Sequence, residues 1–312
     1  MSNRSATLAA SWNRFWFRPE SAWNLAAARI VFGVHALWIL LSRDLAGISA
    51  SPPEFWASVP RAALWRFLIF PGHLSFEHVL QWLTMVLLVG VVLGIHPRIT
   101  CLMSALLLYH LAPYENIMWY PGPTERGFEV SVLSLVTLAF APCTDVWALR
   151  VPTRGRVGTR SWHYNWPLCV MQLFVAQIYL FAGYAKLFHV GLGWISGDTI
   201  RNLILAYDQA FQTVSVRPLG PWIAERPMLC FAIALGAVAM DLVFVVAVFS
   251  KRSRIVMIPA AIAFHIGILL TTTIYFLNWP QLLIFVNWDW VRHRMHRSPA
   301  TAQPPALETV LL

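Results

Sequence analysis

The chain has 312 residues, of which 58% are apolar and 12% charged, with 19 Phe, 16 Trp and 8 Tyr. The charged share is about half that of a soluble domain, which excludes disorder; with a mean hydropathy of +0.60 the chain holds more apolar surface than one globule can bury, so lipid must solvate part of it. The net charge of +9 does not indicate nucleic acid, because the basic residues are spread between apolar runs and form no basic domain with an aromatic reading face.

A window of about 20 residues, the helix length that crosses ~30 Å of hydrocarbon, predicts an all-α transmembrane bundle of about eight spans. They run near 24–42, 79–95, 99–113, 128–142, 167–187, 229–249, 255–273 and 275–291. The second to fourth are short and the last contains Pro280, so seven spans are the alternative. Residues 1–23 form an N-terminal segment before this 24–291 core. Residues 292–312 follow it as a basic end and a tail, and 298–312, with three prolines and no periodic apolar face, are predicted to be disordered. The first run carries Arg29 and is followed by further spans, so it reads as a retained helix rather than a cleaved signal.

Charge fixes the expected orientation. With the N-terminus cytoplasmic, every inner connection is basic, through Arg14, Arg18, Arg98, Arg150, Arg160, Lys251, Arg254 and Arg292 among others, whereas the outer connections mix arginines with most of the acids. Both termini are therefore expected inside a multi-pass protein of the cell inner membrane or plasma membrane. Two outer connections, 43–78 and 188–228, are long and rich in Trp and Pro. Ile200, Leu203, Ile204, Tyr207 and Phe211 recur at helical spacing, as in an interfacial amphipathic helix; loops that merely pack are the other reading. Cys101, Cys143, Cys169 and Cys230 have no metal-like or disulfide-like spacing and read as small packing residues.

Ionisable groups at membrane depth cost about 2.5–3.5 kcal/mol each on the insertion scale, so each needs a partner, an escape route or a task. Arg29 has a stem long enough to reach the headgroups. Asp241 has none and requires a donor; His265 lies at similar depth on the next helix, where the two form either a structural bond or a proton relay. Lys186 follows YLFAGYA, with Ala182 and Gly183 giving a close-packing face. Desolvation disfavours an ammonium, and a neutral lysine is a usable general base; an ordinary interfacial lysine is the alternative. Glu129 and His110 sit at comparable depth, either completing an outward-facing pocket or lying wet at its rim. Hydrolase and nucleotide fingerprints are absent, and His293 and His296 lack further ligands for a metal.

ARIVFG (28–33), LGIHPRIT (93–100), YLFAGYAKL (179–187), DLVFVVAVF (241–249) and FHIGILL (264–270), in this order, resemble the membrane core shared by vitamin K-dependent gamma-carboxylases and bacterial HTTM proteins. The AG-x-x-KL run followed by Trp194 is the most specific piece. The resemblance implies a site on the non-cytoplasmic side in which Lys186 is the base that deprotonates a reduced naphthoquinone. Oxidation of that quinol by dioxygen then yields a base able to remove a carbon-bound proton from a peptide glutamate, and the carbanion captures carbon dioxide. It also implies that His265 lies in the active region, that Asp241 and Arg29 are scaffold polar groups, and that no metal is needed. Ala185 stands where the carboxylases have a second lysine, and near the outer start of the fourth span, where they bring a histidine, this chain reads Glu125, Arg126, Gly127, Phe128 and Glu129. The carboxylases add a large lumenal domain after this core, whereas a second branch resembles membrane proteins that help mature secreted peptides and fits this chain in size.

The expected function is therefore quinol- and oxygen-linked modification of a peptide or other substrate on the outer side. The rival is a non-catalytic membrane factor for maturation or export of a secreted peptide. The expected partners are membrane lipid and such a peptide, without nucleic acid. A transporter would need inverted repeats or discontinuous helices, and the sequence shows no repeat.

Overall fold

Two serines start the two central helices and sit on adjoining strands of one short bridge. Ser21 Oγ accepts the N–H of Trp23 at 3.4 Å and Ser161 Oγ accepts that of His163 at 3.4 Å, each satisfying a donor that a helix start leaves open. The serines belong to two short strands, β1 (Glu20–Ser21) and β2 (Arg160–Ser161), paired antiparallel with Glu20 opposite Ser161 and Ser21 opposite Arg160. The bridge sets both helices off from one level.

The computed structural model describes residues 2–43, 47, 74–118, 128–149, 160–210, 219–272, 276 and 278–296. Its α-helices are α1 (Ser2–Phe17), α2 (Ala22–Ser42), α3 (Leu74–Leu93), α4 (Pro97–Met118), α5 (Glu129–Ala139), α6 (Trp162–His189), α7 (Asp198–Ala210), α8 (Gly220–Ala224), α9 (Pro227–Val243), α10 (Val246–Phe249), α11 (Lys251–Thr272) and α12 (Trp288–His296). Among them, five stretches are long and apolar enough to cross a membrane: Ala22–Ser42, Phe76–Leu93, Trp162–His189, Pro227–Phe249 and Lys251–Thr272. Pro97–Ala112 and Glu129–Ala139 are shorter apolar helices. Most of the connection 43–78 and the whole tail 298–312 lie outside the described residues.

The last expected span, 275–291, is not one continuous helix where it is described. A 3-10 helix (Trp279–Phe285) opens with Pro280, passes an extended Val286 and gives way to α12. Such backbone is tolerated at depth only inside protein, and Gln281, Leu282, Ile284 and Phe285 are all buried. Its carbonyls are served by side chains: Gln172 Nε2 donates to Ile284 O at 3.1 Å and Trp288 Nε1 to Leu283 O at 2.9 Å.

Small residues let the helices approach. Ala26, Ala28 and Ala36 of α2 are fully buried, and a Cβ on Gly33 would come within 2.8 Å of Val92 Cγ2 on α3. Large apolar side chains turn outward instead: Trp82, Val86, Ile99, Phe181, Phe188 and Ile255 are all more than half exposed, as lipid-facing positions require.

Arg29 does not reach for headgroups. It is fully buried, donating from Nη1 to Val91 O at 3.0 Å and from Nη2 to Trp147 O, so one guanidinium ties the end of α3 to the segment after α5. The turn after α3 is glycine for this reason. Gly94 has φ +72°, and a Cβ there would lie 2.2 Å from Arg29 Nη1.

Candidate functional site

In α6, Val175, Tyr179, Ala182 and Lys186 fall three or four residues apart and so share one face. Helical side chains tilt toward the N-terminus of their helix. Lys186, one turn from the end of α6, therefore sends its amine back into the bundle, where Nζ is paired with Asp241 Oδ2 of α9. The lysine side chain is 23% exposed and the aspartate 3%. Close approach makes this possible: a Cβ on Gly183 would stand 3.0 Å from the Cβ of Asp241.

Trp194, in a 3-10 turn (Gly191–Ser196) after α6, places its ring centroid 5.2 Å from Lys186 Nζ, a cation–π distance. Two turns further in, Tyr179 Oη and His265 Nε2 of α11 are hydrogen-bonded at 2.8 Å. His265 Nδ1 is buried without a partner among the described residues, which is uncommon for a buried polar atom.

Both pairs open on one cavity of about 560 Å³ between α6, α7, α8, α9 and α11. Its walls are mostly apolar, including Ile178, Ile204, Ile233, Phe264 and Phe276. That is the size and make-up of a small-molecule pocket: roughly 300–1,000 Å³, apolar, with a few convergent polar groups. The expected amphipathic segment 198–211 contributes α7, whose Ile200 and Ile204 are buried against Ile223, Cys230 and Ala234. Phe211 lies outside the described residues.

The residues singled out from sequence divide into two groups. Lys186, Asp241, His265 and Trp194 line the cavity together. Asp241 and His265 both face it, but the donor to Asp241 is Lys186 and the partner of His265 is Tyr179. Glu129, exposed at the start of α5, and His110 are not among the lining residues. His110 Nε2 instead meets the buried carboxylate of Glu77 at 3.1 Å, joining α4 to α3. Arg29 belongs to the turn described above. Tyr179 was not singled out, although its spacing from Lys186, seven residues and two turns on one face, was the available signal.

An all-helical bundle with several membrane-length apolar helices, enclosing a pocket whose polar groups come from three of them, defines a multi-pass membrane protein. The profile of the HTTM domain matches residues 17–290, and the chain belongs to the HTTM family, that of vitamin K-dependent carboxylase-like membrane proteins. No curated protein and no solved structure gives a match.

Proposed function

We propose that the cavity beside Lys186 holds a reduced quinone, a naphthoquinone by resemblance to the carboxylases, and that the protein uses it for oxygen-linked modification of a peptide or other substrate. The observation carrying this reading is the convergence of the Lys186–Asp241 and Tyr179–His265 pairs on one apolar cavity. An aromatic ring system suits such walls, and the Nδ1 of His265, without a partner among the described residues, offers a polar anchor to a ring oxygen. When bound, the quinol supplies the electrons that reduce dioxygen and, through that oxidation, a base strong enough for a carbon-bound proton.

The chain's own groups supply proton handling and dryness. As an ion pair, Lys186 and Asp241 have no net charge and are a tolerable resident at depth. A hydroxyl beside them gives its proton to the pair, with the carboxylate as acceptor while the ammonium faces the oxyanion left behind; with a neutral amine, Lys186 itself accepts. Either way, Lys186 is central to the step. Tyr179, Phe264 and the wall isoleucines exclude water that would quench a strong base. In this reading both termini are cytoplasmic, α7 caps the non-cytoplasmic mouth, and the protein resides in the inner or plasma membrane.

A second reading is a non-catalytic factor for maturation or export of a secreted peptide. It is favoured by the Lys186–Asp241 pair itself, since a satisfied pair also fastens α6 to α9. Purified membranes given reduced naphthoquinone, oxygen and labelled bicarbonate separate the two. The catalytic reading expects incorporation that Lys186→Ala abolishes, and a photoreactive naphthoquinone that labels α6, α9 and α11. Equal incorporation in both proteins, or none above background with no labelling of those helices, favours the non-catalytic factor.

A further inference from the structure

At the end of the bundle opposite Lys186, a second cavity of about 520 Å³ lies between α2, α6, α11 and the segment leading into α12. Arg18, Lys251 and Arg254 line it together with one carboxylate, Glu20. That carboxylate is already shared. Lys251 Nζ donates to Glu20 Oε2 at 2.9 Å, and Arg18 Nη2 stands 3.8 Å from the same oxygen. Arg254 has only neutral acceptors: its Nε donates to Ala247 O at 2.7 Å, and its Nη2 donates to Gln172 Oε1 at 2.8 Å and Val248 O at 3.1 Å. Its Nη1 has no hydrogen-bond partner among the described residues.

Four neutral polar side chains, Asn24, Asn165, Gln172 and Asn287, also line it, and the rest of the lining is apolar. Leu168, Ile258, Ile284 and Phe285 form walls below the cations, and Ile255, 76% exposed, carries the cavity out to the lipid-facing side of α11. Charge in excess of the available carboxylate, beside apolar walls that reach the exposed Ile255, matches one kind of molecule.

We propose that this cavity binds an anionic phospholipid, its phosphate between Arg18 and Arg254 and an acyl chain along the apolar walls. Guanidinium groups suit phosphate because their parallel N–H donors match its oxygens, and basic pockets between membrane helices are suited to lipid headgroups. An inorganic phosphate ion would satisfy the arginines but leave the apolar walls without a matching surface. The site is built from residues outside the Lys186 cavity and does not depend on the function proposed for it.

The test uses the full-length protein in phosphatidylcholine nanodiscs with spin-labelled phosphatidylglycerol or spin-labelled phosphatidylcholine. The expected result is a motionally restricted phosphatidylglycerol component favoured by about tenfold, equivalent to ~1.4 kcal/mol. That preference falls to near parity in Arg18→Gln and Arg254→Gln and is kept in Arg14→Gln, whose exposed side chain lies outside the cavity. If Arg254→Gln fails to fold, because its guanidinium also caps Ala247 and Val248, Arg18→Gln carries the test alone. Equal restriction of both lipids overturns the proposal, as does a loss in Arg14→Gln matching that in Arg18→Gln, which marks general surface attraction. Displacement of the label by millimolar inorganic phosphate also overturns it, since the site then takes a free anion.

Discussion

Gly183 faces Asp241 across the α6–α9 contact so closely that a methyl group on it would meet Leu242 Cδ2 at 2.9 Å and Asp241 Cβ at 3.0 Å. The missing side chain is what brings the helices near enough for Lys186 to reach its partner. Gly183→Ala is expected to push α6 and α9 apart and destabilise the protein by about 1–3 kcal/mol, as overpacking does. The readout is the melting temperature in detergent. A variant that melts with wild type would show that the contact yields freely and that the glycine is not needed there.

The Lys186–Asp241 pair is expected to behave as one unit. Lys186→Met leaves a carboxylate that is 3% exposed without its cation, and removing one partner of a buried pair costs about 3–5 kcal/mol. Lys186→Met combined with Asp241→Leu removes both charges and is expected to recover most of that loss. Melting of the two single variants and the double variant forms a cycle. Additive losses would mean that the pair contributes no coupling.

Arg29 and Gly94 form a second unit, remote from the cavity. Alanine at Gly94 has to adopt φ +72° while its Cβ falls 2.2 Å from Arg29 Nη1 and 2.6 Å from Ala148 Cβ. The expected loss exceeds about 1 kcal/mol, the scale above which substitution at an incompatible backbone conformation lies. Arg29→Met should be worse, since it abandons the carbonyls of Val91 and Trp147. Expression and melting in detergent check both, and an Arg29→Met protein as stable as wild type would show those carbonyls content without a donor.

Apolar run length made the helices at 22–42, 162–189 and 251–272 legible, because crossing hydrocarbon requires many consecutive apolar residues. The path at 279–296 was not legible: a 3-10 turn buried among helices has the same composition as a span, and what distinguishes it is the service of its carbonyls by Gln172 and Trp288 from elsewhere. At the site, the depth of Lys186, Asp241 and His265 marked each as needing a partner, but depth does not say which partner. Asp241 and His265 are on neighbouring helices and at similar depth, yet the tilt of Lys186 toward the start of α6 gives the aspartate to the lysine. Likewise, no local pattern could join Glu77 to His110, which depends on how α3 meets α4.

Glu20 gives the bridged end of the bundle an acid limit. Burial alone would raise its carboxyl above the ordinary 4.5, but the hydrogen bond and charge of Lys251, the N–H of Ser21 and the charge of Arg18 outweigh this and hold it lower. A carboxyl depressed in the native state binds its proton less readily there than in the unfolded chain. Its contribution is therefore fully present above the unfolded value and is lost as pH falls through the lower native one. Glu20→Gln keeps an acceptor for Asn24 and Ser21 but loses the charge that Lys251 and Arg18 face. Melting compared between wild type and Glu20→Gln should show the largest gap near neutrality, with the two curves drawing together below about pH 4.5. A gap that stays constant from pH 7 down into that acid range would assign the stabilisation to packing rather than to the carboxylate.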